Sequence, residues 1–264
     1  MLKTMNAVYR VDGPNILTSS HASGPWDPSM QHGSAPSALV TWLAEAVPTA
    51  EPMQISRVTI DLLRPVPVAP LTYETEILRA GRKIQLVGVK LLANGVVVVN
   101  ATVLKIRVAA LDLPPEVADA PLDVMLPEQA RLLDTSKLNN AFVSGMSMRS
   151  VSGGMRSLGP GAVWYRLDRS IVEDAPISQV MRAVVASDFS NGTSSVLNFK
   201  DWTFINADLS VNLSRPPVGD WILLNAESWI GPNGAGIAAS RLADINGYFG
   251  RAIQTLVIER RAPR

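Results

Sequence analysis

The chain repeats itself, and the repeat limits what it can fold into. LLRPVPVAPLTYETEIL (62–78) resembles LSRPPVGDWILLNAESWI (213–230). Each segment carries an Arg-Pro pair, Arg64-Pro65 and Arg215-Pro216, 151 residues apart (64 to 215). The hairpin signal Asn94-Gly95 recurs as Asn246-Gly247, 152 residues later (94 to 246). Ala35-Pro36 and Ala175-Pro176, 140 residues apart (36 to 176), each open a helical pattern. Both stretches close on similar strands, NATVLKIR (100–107) and AIQTLVIER (252–260). One element order used twice reads as two copies of one unit, each a long helix wrapped by an antiparallel sheet, an α+β architecture.

The elements follow from periodicity and turn residues. Residues 5–20 read as a strand pair turning at Val11–Asn15, and His21–Gly33 as a Gly/Pro-rich loop. A helix opens at Pro36, carries Leu39, Leu43, Ala46 and Val47 on one side, and stops at Pro48. Strands are expected at 57–63, 71–78, 84–92 and 96–107. Residues 109–138 are Pro-rich and aperiodic, a linker with room for a short helix. The division is therefore 1–108, linker 109–138, and a second unit 139–264 that begins near Asn139.

With 264 residues and 47% hydrophobic content, the chain has enough apolar material for a core. Net charge is +1 without a long basic run, which argues against a nucleic-acid surface. There is no cysteine, so thiolate nucleophiles, thiolate metal sites and disulfides are excluded. No apolar run reaches a membrane-spanning length, and no leader is visible, so a cytoplasmic location is expected.

Chemistry enters on the second helix, expected over 175–192 between Pro176 and Gly192. Ile177, Val180, Met181, Val184 and Val185 form one apolar stripe, and Asp188 is the next position on it. An inward carboxylate requires a polar partner. It is either a structural aspartate bonded to local backbone or a catalytic group. Gln254 shares its strand face with Leu256 and Ile258. At the repeat offsets, Asp188 and Gln254 align with Pro48 and Thr102, which points to a site that only one copy keeps. Gln254 also has a plain alternative, bonding a nearby backbone group.

Four segments carry a family resemblance: ASDF (186–189), NADLSVNLSRPP (206–217), WILLNAES (221–228) and RAIQTLVIE (251–259). They look like the second half of bacterial acyl-CoA thioesterase II. GPWDPSMQHGSAPSAL (24–39) and VTIDLLRPVPVAPLTYETEILRAGRK (58–83) look like its first half. The resemblance implies a double hotdog fold and hydrolysis of an acyl-CoA thioester by water, with no cofactor or metal. It also implies a site trio, with the carboxylate at Asp188 and the amide at Gln254. The family's hydroxyl position falls on Asn206, a departure, since an amide offers different donor geometry. Strand parity groups Asn206 with Asp208, Ser210 and Asn212, which would leave it a solvated strand-start residue. Thr203 or Ser190 would then supply the hydroxyl. Gly33, in the loop before the first helix, is the candidate oxyanion region, because glycine lets backbone approach a carbonyl; it equally suits a simple turn.

Other features are plainer. His21 and His32 share one loop without ligand-spaced partners, and His32 lines an acyl entrance or packs in the loop. No serine lies in GxSxG. Ser152-Gly153-Gly154 and Gly159-Pro160-Gly161 read as turns beside a strand at 163–167. Arg64 and Arg215, each before a proline, suit contact with a CoA phosphate or a structural ion pair, and their repetition in both halves favours the ion pair. A hotdog hydratase would place a histidine together with the aspartate on the helix, and no histidine lies near the second helix in the sequence. The remaining alternative is a non-catalytic acyl-CoA or acyl-carrier binding module. Broad sheet faces and edges suggest a homo-oligomer.

Overall fold

A computed structural model describes residues 5–117, 122–136, 138, 140–155 and 157–261. The expected start of the second unit, Asn139, lies outside the described residues. The strands run β1 (Tyr9–Asp12), β2 (Asn15–Thr18), β3 (Met53–Leu62), β4 (Leu71–Ala80), β5 (Ile84–Ala93), β6 (Val96–Arg107) and β7 (Arg131–Leu132). They continue as β8 (Met146–Ser152), β9 (Gly161–Leu167), β10 (Trp202–Asn206), β11 (Asp208–Leu213), β12 (Trp221–Ile230), β13 (Ala235–Asp244) and β14 (Gly247–Arg260). The α-helices are α1 (Ser34–Ala46), α2 (Gln179–Ser187) and the short α3 (Ser190–Thr193).

Among the described residues, all fourteen strands join one sheet in the order β1-β2-β4-β5-β6-β3-β11-β14-β13-β12-β9-β8-β7, with β10 also on β14. The seam between the copies is the antiparallel pair β3–β11, which sets Thr59 opposite Ser210. Alternation places one sheet face against the helices, as Val58, Ile60, Val87, Val103, Val211 and Leu224 are buried there. The helices lie antiparallel across the seam. Ser34 at the start of α1 reaches the Val185 carbonyl in α2, and Ser178 at the start of α2 reaches Glu45 near the end of α1.

The expected long helix over 175–192 is not formed. Ser178 is extended (φ −74°, ψ 159°) and its hydroxyl accepts the Met181 N–H, so the helix begins only after it, not at Pro176. At the far end, the hydroxyls of Ser187, Ser190, Thr193 and Ser194 bond carbonyls three or four residues back. Such back-bonding competes with the helical ladder, and α2 gives way to α3 around Asp188. The stripe holds from Val180 onward, with Val180, Met181, Val184, Val185 and Asp188 buried, whereas Ile177 precedes the helix and is only partly buried.

The hairpin register also differs from the sequence alignment by one residue. The β5–β6 turn is Asn94-Gly95, between paired Ala93 and Val96; the β13–β14 turn is Ile245-Asn246, between paired Asp244 and Gly247. Both hairpins shift register at the same place, after Leu91 and after Leu242. Ala238 pairs with Gln254 as Val87 pairs with Val103, each four residues from that shift. Gln254 therefore corresponds to Val103, not to Thr102. A slip of one residue moves a side chain to the other face.

Among the described residues no helix is long and apolar enough to cross a membrane. The expected pair of arginine salt bridges occurs once. Arg215 bonds the buried Asp244 with two nitrogens, whereas Arg64 has no carboxylate within 4.0 Å among the described residues.

Candidate active site

Asp188 sits where α2 breaks, with only 3% of its side chain exposed. A carboxylate at a helix C-terminus faces the negative end of that helix dipole. Here the antiparallel packing sets the N-terminus of α1 against it, and α1 has no acidic residue in its first turn and no side-chain cap. Asp188 supplies the anion which that positive end lacks. Gly33 makes the approach possible. A Cβ on Gly33 would stand 2.6 Å from Asp188 Oδ1 and 2.9 Å from Oδ2, inside any normal contact. The close approach of Gly33 is thus to this carboxylate, and it is not a turn requirement: its φ of −55° suits any residue.

Donors converge on both carboxylate oxygens. Asn206 Nδ2 donates to Oδ1 at 2.9 Å, and Gln254 Nε2 reaches Oδ1 at 3.3 Å and the Asp188 carbonyl at 3.1 Å. Ser34 Oγ donates to Oδ2 at 3.0 Å, and His32 Nδ1 lies 3.1 Å from the same oxygen. The His32 ring is held between Phe142 and Phe189 at centroid distances of 5.1 and 4.7 Å. Its Nδ1 is also 3.1 Å from the Ser34 amide nitrogen. An Nδ1 without hydrogen accepts from that amide, and an Nδ1–H donates to Asp188. Gln254 is fixed in turn by the Asn191 N–H at 3.2 Å to its Oε1.

Asn206 arrives by a β-bulge. It pairs with Leu256 on β14, but Ser210 pairs with Ile253, so one extra residue is accommodated around Ala207. The bulge breaks the parity read from the sequence. Asn206 turns inward beside Leu256, whereas Asp208 faces outward and binds Thr255. The proposed substitutes do not reach the site: Thr203 Oγ1 bonds the Glu259 carbonyl, and Ser190 Oγ bonds the Ser187 carbonyl and receives Ser240. β3 carries the matching bulge between Ile55 and Arg57, which makes Ile55 the counterpart of Asn206. Aligned on the helix caps Gly33 and Ser178, Asp188 falls on Leu43 rather than on Pro48. Asp188, Asn206 and Gln254 thus stand where the first copy buries Leu43, Ile55 and Val103.

Sequence reasoning named Gly33 and set His32 at an acyl entrance, but missed that His32 and Ser34 meet Asp188. His32 and Ser34 are 156 and 154 residues before Asp188, and the one available signal was a His-Gly-Ser tripeptide directly ahead of a helix. A shallow crevice too narrow to admit a water molecule adjoins the site, lined by Asn191, Leu197, Phe204, Ile230 and Leu256 among others. Trp26 and Phe199 stack at 5.1 Å beside Phe204.

Residues 22–106 match the family described as acyl-CoA thioesterase N-terminal domain, and residues 114–258 match acyl-CoA thioesterase C-terminal domain. No curated protein sequence matches. The solved structures similar to this chain share its fold at low identity. One is a hot dog protein of unknown function from Alicyclobacillus acidocaldarius, with 14% identity, 98% of each chain covered and a TM-score of 0.76. A protein provisionally described as a thioesterase, from Novosphingobium aromaticivorans, has 18% identity over 96% of this chain and 99% of its own, with a TM-score of 0.71. An acyl-CoA thioesterase II from Mycobacterium marinum has 13% identity over 97% and 95%, with a TM-score of 0.65.

Proposed function

Because the chain belongs to the acyl-CoA thioesterase family, we propose that it hydrolyses an acyl-CoA thioester to the free acid and CoA, with Asp188 as general base. The observation that carries this reading is the buried Asp188 carboxylate, ringed by His32, Ser34, Asn206 and Gln254. A thioester carbonyl is electrophilic and a thiolate leaves readily, so water needs orientation and a proton acceptor rather than a strong nucleophile. In this reading water enters between Asn206 and Gln254, in exchange for the long Gln254 bond to Oδ1. Asp188 takes its proton as the oxygen bonds to the carbonyl carbon. The tetrahedral intermediate then expels the thiolate, breaking the C–S bond, and the proton passes to sulfur. We assign the oxyanion to the backbone at Gly33, at the positive end of α1. The catalytic unit is 139–264, joined by 109–138 to 1–108, which lends His32, Gly33 and Ser34.

The test is free-thiol release from a panel of acyl-CoAs, short, long and aromatic, by wild type and Asp188→Asn. We expect turnover of at least one member and a loss of about 10²–10⁴-fold in kcat for the variant. Equal rates for both proteins would remove Asp188 from the reaction. Tight binding without turnover across the panel would replace the enzyme reading by the binding-module one.

A further inference from the structure

The outer face of the sheet, from β3 at the seam across the second copy, carries a row of guanidinium and amide side chains with no carboxylate among them. Register places Arg57 (β3) opposite Asn212 (β11), Asn212 opposite Arg251 (β14), Arg251 opposite Arg241 (β13), and Arg241 opposite Asn225 (β12). All point away from the helices, since their neighbours Val211, Ala226, Ser240 and Ala252 are buried. Arg241 and Arg251 are exposed and directly opposed, an arrangement of like charges that costs stability. Among the described residues none of the three arginines has a carboxylate within 4.0 Å. Arg57 Nε is buried without a hydrogen-bond partner. Arg241 packs 3.7 Å from the Tyr248 ring centre, and the Tyr248 hydroxyl receives Asn225 at 3.4 Å, so the row has a fixed wall. The row borders an open groove of about 510 Å³. Beside it, the face is covered by Leu122, Val124 and Ala130 on Trp164 and Leu223, with Trp164 Nε1 bonded to the Met125 carbonyl at 2.9 Å.

We propose that this groove binds an oligophosphate anion, at a site separate from the Asp188 centre. Uncompensated opposed guanidiniums and a buried unpaired N–H persist where a ligand supplies the missing charge. Arg241 and Arg251 stand one strand spacing apart, ~4.8 Å, so their guanidiniums can share the two linked phosphates of one anion, with Arg57 two strands further along the row. Acids lie off the row. Glu227 lines the groove two residues beyond Asn225, and Asp61 and Asp208 are four residues, ~13 Å, along their strands. The ligand chemistry is a pyrophosphate, free, in a nucleoside diphosphate or in CoA.

Titration calorimetry of the full chain with inorganic pyrophosphate, ADP and CoA, on wild type, Arg241→Gln, Arg251→Gln and the double variant, tests it. Pyrophosphate should saturate one site, weaken about tenfold or more in each single variant and be lost in the double. Each variant, freed of like-charge repulsion, should melt no lower than wild type. ADP binding like pyrophosphate identifies a nucleotide source, and CoA alone exceeding both identifies the CoA moiety. Asp188→Asn should bind pyrophosphate as wild type does, whether or not thioester hydrolysis is real. The proposal is overturned by absence of saturable pyrophosphate binding, by undiminished binding in the double variant, or by a wild-type dimer that the double variant dissociates, which would assign the face to a second copy.

Discussion

Gly33→Ala is the sharpest perturbation the site offers, because its effect is steric and its backbone is blameless. At φ −55° and ψ −31°, alanine fits the conformation without strain. By itself such a change stabilises by about 0.4–1 kcal/mol through the unfolded chain. The new methyl, however, would stand 2.6 Å from Asp188 Oδ1, against 3.4 Å for ordinary contact. The carboxylate must retreat by about 0.8 Å, which is that difference. Its bonds to Asn206 and Ser34 are 2.9 and 3.0 Å, so a shift of this size takes at least one beyond hydrogen-bonding distance. Losing one charge-assisted bond costs ~1.5–3 kcal/mol, leaving a net destabilisation of about 0.5–2.6 kcal/mol. Misplacing a reacting group by nearly 1 Å costs about 10²-fold in rate. The assay pairs free-thiol release on the best acyl-CoA substrate with a thermal melt. We expect kcat to fall about 10²-fold while the fold survives. A folded Gly33→Ala enzyme with kcat within twofold of wild type would refute the claim that the position of this carboxylate limits the reaction.

Replacing Asn206 and Gln254 by their first-copy counterparts, Asn206→Ile and Gln254→Val, should cut kcat by ~10² or more; circular dichroism should confirm an intact sheet, and retained turnover would remove both amides from the mechanism. Ser34→Ala should lower kcat about tenfold through loss of its bond to Oδ2, read in the same thiol assay. Burial raises Asp244, but the Arg215 bonds and the backbone N–H groups of Val218 and Asn246 outweigh it, so its carboxyl titrates below the usual range. Its stabilisation is complete above about pH 4 and is lost as pH falls through the folded value, so wild type should out-melt Asp244→Asn at pH 7 and lose that lead in acid. Glu45 is the reverse case: burial raises it, and the Ser178 hydroxyl and the charge of Lys105 only partly oppose that. Its ionised form costs stability at neutral pH, so Glu45→Gln should melt higher than wild type at pH 7, with the gap closing as pH falls through the raised folded value and closed once pH is below the ordinary 4.5. A gap that instead widened in acid would reverse the sign of that argument.

The sequence by itself determined the repeat, the strand runs, and the two inward polar groups on apolar faces. These rest on local periodicity: β6 spans Val96–Arg107 as its pattern predicts, and Asp188 and Gln254 are buried on the faces assigned to them. Two further features are also local but were not legible, because they depend on how backbone bonds are shared. Serine and threonine hydroxyls end α2 early, and one extra residue near Ala207 turns Asn206 inward against its apparent parity. Only the tertiary structure decided the rest. The antiparallel packing of α1 on α2 delivers the positive end of one helix, with His32, Gly33 and Ser34, to the carboxylate of the other. Pattern within a segment records which face is buried. It carries no record of which segment, some 154 residues away, will meet that face, since that is set by the pairing of β3 with β11 at the seam.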